Sequence, residues 1–130
     1  MKHITNETVV AQVRARTETD GLACAEAFAI AEEQKVRPLA VGLAADAADI
    51  RLVRCQLGLF GYGARKSIVA PADNVSPELE QAIREGLILG RLPCAVAWAL
   101  AVRFRLPKLQ VANAAEKLGI RISECQLGGF

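Results

Sequence analysis

The sequence has one histidine, His3, and few aromatic residues: one tryptophan, one tyrosine and four phenylalanines. Apart from this N-terminal residue there is no histidine to pair as base with a serine or cysteine nucleophile. No glycine-rich phosphate loop and no clustered carboxylates replace it, so neither enzymatic activity nor a cofactor is expected. Close-spaced Cys-x-x-Cys pairs are also missing. No charge of one sign dominates: 16 Lys and Arg stand against 14 Asp and Glu, a net charge of +2. A dedicated nucleic-acid binder ordinarily shows a clear basic excess, so bulk charge does not point there. The most apolar stretch, Leu87 to Val102, is interrupted by Arg91 and Pro93 and is too short to span a bilayer. The opening Met1-Lys2-His3-Ile4-Thr5-Asn6-Glu7 lacks the apolar core of a signal peptide. Four cysteines in that context are expected to be reduced thiols in a cytoplasm.

What is present is internal self-similarity. Cys55-Gln56-Leu57-Gly58-Leu59-Phe60 returns 70 residues later as Cys125-Gln126-Leu127-Gly128-Gly129-Phe130. Without a gap, Cys24-Ala25 falls on Cys94-Ala95, and Ala27, Ala29 and Ala31 fall on Ala97, Ala99 and Ala101. Leu39, Val41, Ala44 and Ala45 fall on Leu109, Val111, Ala114 and Ala115, and Ile50-Arg51 on Ile120-Arg121. The chain reads as one unit written twice: residues 1–60, a linker at 61–76, and residues 77–130. A unit of about 54 residues is near the lower limit for a self-sufficient core, so the two are expected to share one. Abundant alanine favours closely packed helices, and the expected fold is mainly α.

Each unit reads as three helices and a short strand. After a lead-in at 1–5, Asn6 caps a helix from Glu7 to about Thr17, with Val9 and Val13 inward. Asp20-Gly21 breaks it. Helices follow at 22–34 and 39–49, then a strand at 50–54. The linker carries a candidate strand at Ser67-Ile68-Val69. Ser76-Pro77-Glu78 opens the second unit with a cap, a first-turn proline and an acid. Its helices are placed at 77–90, 92–104 and 108–118, with a strand at 120–123. The run Cys94 to Val102 is apolar all round and implies burial on every side. Trp98 falls on Phe28, and both read as core anchors. Each strand needs a partner, drawn from the opposite unit's strand, the 67–69 segment or the lead-in.

The second helix, tight turn and third helix resemble the helix-turn-helix superfamily. The residues that carry the resemblance are Ala31, Lys35, Val36 and Val41, and again Ala101, Arg105, Leu106 and Val111. Alanine lets the two helices cross closely. Lys35 and Arg105 stand where glycine is usual, so the turn is either rebuilt or carries a residue in the left-handed region. The strand after the third helix is similar to the winged-helix branch. The resemblance implies a DNA-binding or transcription-regulatory protein acting on double-stranded DNA. In the first unit the reading helix is small or acidic outside, with Asp46 and Asp49 opposing phosphate. In the second, Lys108, Gln110, Asn113 and Lys117 suit a groove, and Arg103 and Arg105 flank the turn. The bland alternative is a solvated helix face.

Two further classes stay open. One is an adaptor whose units bind a protein partner or a second copy. The other is a four-thiolate metal site from Cys24, Cys55, Cys94 and Cys125, in which the helix N-terminus lowers a thiol pKa; against it stands the lack of close-spaced pairs. The repeated ending has a structural reading. Gln56 and Gln126 satisfy backbone groups at the strand end, and Leu57 and Phe60 tuck onto the helices. A partner surface and a ligand site are its alternatives.

Overall fold

The computed structural model describes residues 7–130; the expected lead-in strand and the Asn6 cap lie outside them. The fold is mainly helical, with six α-helices among the described residues and four two-residue strands. Helix α1 (Glu7–Arg16) has an acid in its first turn, bases in its last, and Val9 and Val13 buried one turn apart. Thr17 closes it by donating from Oγ1 to the Val13 carbonyl. A two-residue turn follows, held by reciprocal Glu18 and Gly21 backbone hydrogen bonds. Strand β1 (Leu22–Ala23), helices α2 (Cys24–Gln34) and α3 (Pro38–Ala47), and strand β2 (Leu52–Val53) complete the first half. The same order recurs as α4 (Pro77–Glu85), β3 (Leu92–Pro93), α5 (Cys94–Phe104), α6 (Lys108–Lys117) and β4 (Ile122–Ser123).

Helices α2 and α5 end alike. Lys35 and Arg105 adopt φ 55, and each donates its N–H back into the last turn. Val36 and Leu106 then donate to the carbonyls of Ala31 and Ala101. This is the left-handed helix stop that glycine usually supplies, made here by long side chains that stay in water. Pro38 and Pro107 suit the restart of the following helix, where the missing N–H costs nothing.

The strands correct the sequence reading. Each closing strand pairs with its own half's opening strand and not with the candidates named above. Leu22 lies opposite Leu52 and Ala23 opposite Val53, in parallel, and Leu92 and Pro93 pair likewise with Ile122 and Ser123. The two helices between them form the crossover that a parallel pair requires. Helices α2 and α5 consequently begin at Cys24 and Cys94, two residues later than helical periodicity suggests. Helix α4 stops at Glu85, because Gly86 leads into the tight turn closed by Ile88 and Arg91. The 67–69 segment forms no strand; Ile68 N and Ser67 Oγ instead donate to the Gly58 carbonyl. Helix α5 is not buried all round, since Ala95 and Ala99 are exposed and Val102 is 79% exposed. Its methyl groups are too small to force burial.

The buried side chains form two clusters, and the endings exchange between them. Leu57, from the first half, is buried among Leu79, Ile83, Leu92, Leu100 and Val111 of the second. Leu127, from the second half, is buried among Val9, Val13, Leu22, Ile30 and Val41 of the first. Gly42 makes room on α3: a Cβ there would lie 1.7 Å from the Leu127 carbonyl oxygen. Gly58 likewise lies against Leu109 on α6, and Gly128 against Leu39 on α3. The halves also meet through Phe28 and Trp98, whose ring centroids are 4.3 Å apart.

This exchange gives an unusual expectation. Leu57→Ala and Leu127→Ala should each cost about 2–5 kcal/mol, as buried leucine truncations do. Hydrogen exchange should then rise most in the opposite half: in α4–α6 for Leu57→Ala and in α1–α3 for Leu127→Ala. Faster exchange confined to the mutated half would contradict the exchanged packing.

Candidate nucleic-acid interface and the cysteine junction

On α6, Gln110, Asn113 and Lys117 fall at i, i+3 and i+7, which puts them on one stripe. Gln110 and Lys117 at its ends are exposed, and Asn113 in the middle is half-buried. Its Oδ1 accepts from Ala70 N at 3.0 Å, and its carbonyl accepts from Ala72 N at 3.1 Å. The linker therefore runs across this stripe and uses the centre of it. Lys108 does not share the stripe: its Nζ sits 4.4 Å above the Trp98 ring, a cation–π contact. Arg103, in the last turn of α5, stands 5.2 Å from the Phe104 ring, and Arg105 occupies the left-handed turn; both are exposed. Thus three of the six residues singled out on the second half, Asn113, Lys108 and Arg103, already have intramolecular partners.

The halves differ in electrostatics. In the first, Arg54 reaches Asp20 at 2.8 Å and Glu18 at 3.0 Å, and Arg16 contacts both Glu26 and Glu33. From 91 to 124 there are six cations and two carboxylates, against four cations and five carboxylates from 21 to 54. Among the described residues, none of those six cations of the second half makes an ion pair.

The cysteines gather where the endings cross. Cys24 and Cys94 are the first residues of α2 and α5, beside the strand ends that lead to Cys55 and Cys125. Cys55 packs in the same cluster as Cys94, and Cys125 packs against the cluster that holds Cys24. The glutamines between them do not satisfy strand backbone, as the sequence reading has it. Gln56 Nε2 donates to Cys24 Sγ at 3.6 Å, and Gln126 Nε2 to Cys94 Sγ at 3.5 Å. All four thiols are free, and among the described residues no group of three or more His, Cys, Asp or Glu is arranged to hold a metal ion.

The expected lowering of a thiol pKa at the helix N-terminus is reversed. Burial pushes Cys24 up to about 11, with the Gln56 hydrogen bonds pulling the other way. Cys94 is raised for the same reason. Removal from water disfavours the thiolate more than the helix end favours it.

No family model, curated protein or solved structure matches the chain. Sequence reasoning misses both the exchange of endings and the thiol–glutamine contacts. The signal available for them is the polar Gln kept between Cys and Leu in both endings. For the parallel strands it is the matched pair Leu22 and Leu92, ahead of the second helices.

The thiol has a consequence for stability against pH. Because the folded value of Cys24 lies above the unfolded 9.0, its contribution is complete below pH 9 and lost as pH rises toward 11. The loss should be on the order of 2–3 kcal/mol. Urea midpoints between pH 8 and 11 should fall more steeply for the wild type than for Cys24→Ala. Parallel curves would show that the thiol does not ionise differently on unfolding.

Proposed function

We propose that the chain is a cytoplasmic DNA-binding protein, formed by tandem duplication of a helix-turn-helix-like unit, in which the second half meets double-stranded DNA. The observation that carries this reading is the set of unpaired cations there, beside a first half whose Arg16 and Arg54 are neutralised by carboxylates. Arg103 and Arg105 flank the turn and would contact phosphate, with Lys117 at the far end of α6. Asn113 is held by the linker, so base reading falls to Gln110 alone at the front of the stripe. Contact is then mostly with the backbone, positioning without strong sequence choice. In keeping with a protein that works away from lipid, among the described residues no helix is long and apolar enough to cross a membrane.

Fluorescence anisotropy with a random duplex tests this. Binding should weaken steeply between about 50 and 200 mM salt, as counterion release requires. Charge reversal at Arg103, Arg105 or Lys117 should weaken binding on every sequence and reduce the salt slope by roughly one per contact. Charge reversal at Lys35, the first-half counterpart of Arg105, should leave it unaltered. No binding at low salt would dismiss the DNA reading.

A second reading has its own observation. Leu39 and Leu43, one turn apart on α3, are 47% and 53% exposed. Such a pair suits an adaptor that binds a protein partner or a second copy. Leu43→Glu should then abolish a dimer seen by light scattering, while thermal stability stays within about 0.5 kcal/mol. An unchanged mass would remove α3 from the assembly.

A further inference from the structure

We propose that the cleft between the first ending and β4 is a binding site for a small organic anion, a carboxylate carried on a planar apolar body. The cleft has a volume of about 680 Å³, within the roughly 300–1,000 Å³ usual for small-molecule sites. Arg91, Arg121, Phe60, Phe130, Ser123 and Glu124 are among the residues that line it. The two phenylalanines meet edge to face, centroids 6.0 Å apart, leaving a half-exposed aromatic wall. Leu59 and Ile122 add apolar surface to the lining.

Strand geometry explains why the arginines matter. Leu92 pairs with Ile122, and Leu92 N donates to the Arg121 carbonyl at 2.9 Å. Arg91 and Arg121 therefore enter the pair side by side as cross-strand neighbours. Like charges so placed repel, and among the described residues neither guanidinium makes an ion pair. An anion between them removes that repulsion and gains charge-assisted hydrogen bonds from both. Glu124 supplies the single side-chain carboxylate in the lining, against two cationic side chains.

The first half supplies an internal comparison. A cleft of similar size there, about 670 Å³, shares only the positions of Arg91 and Arg121 with this one, as Gly21 and Arg51, and carries Glu18, Asp20, Asp46 and Asp49 around that single arginine. There Gly21 stands where the second half has Arg91, so no cation pair forms. Arg54, at the position of Glu124, is held by Glu18 and Asp20. The two clefts thus differ in the sign of their lining, and the aromatic wall lines only the positive one.

The test is a heteronuclear NMR titration of the full chain with 1-naphthoate, and separately with its neutral analogue 1-naphthamide. Naphthoate should give saturable shifts at residues 59–60, 91, 121–124 and 129–130. Arg91→Gln and Arg121→Gln, both at exposed positions, should each weaken it by roughly tenfold or more, the worth of a hydrogen bond to a charged group. Arg51→Gln in the opposite cleft should bind as the wild type does. Equal affinity for naphthamide, shifts centred elsewhere, no saturation, or unchanged affinity in both arginine variants would each overturn the proposal. DNA binding, tested separately with a duplex, can fail without affecting this outcome.

Discussion

Leu57 and Leu127 are each removed from water by the half of the molecule to which they do not belong, and both hydrophobic clusters are incomplete without them. Burial of one such side chain is worth roughly 1.5–3 kcal/mol. For units as short as these, that is a large share of any net stability. The exchange also dictates the sequence around it. Gly42 exists because the Leu127 carbonyl comes down on α3. Gly58 and Gly128, at φ 86 and φ 82, let each ending turn back after its leucine. Cys55 and Cys125, two residues before the leucines, and Gln56 and Gln126, one before, lie in the crossing for that reason. The unsatisfied Nε1 of Trp98, beside Phe28, marks the same contact region between the halves.

Features decided within a few residues were legible in the sequence. Val9 and Val13 announce α1, Ser76-Pro77 opens α4, and Lys35 and Arg105 mark the turn, which the sequence leaves as either rebuilt or left-handed and the structure shows to be left-handed. What was not legible is nonlocal. Leu22-Ala23 has the composition of a helix start, and only its pairing with Leu52-Val53 makes it extended. A two-residue strand is too short to show its own period. The apolar run of α5 overstated burial because Ala95 and Ala99 count as apolar while hiding almost no surface. The destination of Leu57 was ambiguous for a different reason: matched residues make both halves equally suitable hosts, and only the path of the chain chooses. At the candidate interface, the stripe formed by Gln110, Asn113 and Lys117 could be read from spacing. The linker amides that take Asn113 could not, since they lie some 40 residues away.

The two halves share buried residues and differ in their charges. Val41 and Val111, Ala45 and Ala115, and Leu57 and Leu127 are buried alike. Arg54 and Glu124, Gly21 and Arg91, and Ala47 and Lys117 sit at matched places with different charge. A core fixes volume closely, whereas an exposed charge is worth little to stability and is free to vary. The surface is therefore where the halves differ, and both the cation excess and the cleft chemistry lie on the second.

The exchange bears on how the molecule is made. A ribosome releases the first half before the second, yet the first core lacks Leu127 until about 70 further residues have emerged. Val9, Val13, Ile30 and Val41 face an unfilled site throughout that interval. Leu57 has the opposite problem, waiting in the open for helices not yet synthesised. Neither half can close ahead of the other, so completion of both clusters falls at one late moment. Contacts of such long sequence separation slow folding, and a neighbouring nascent chain offers each waiting leucine an identical pocket. The tight linker turn, in which Ile68 holds the Gly58 carbonyl, tethers the first ending close to the chain that follows it. It thereby raises the local concentration of the correct partner over that of a stranger.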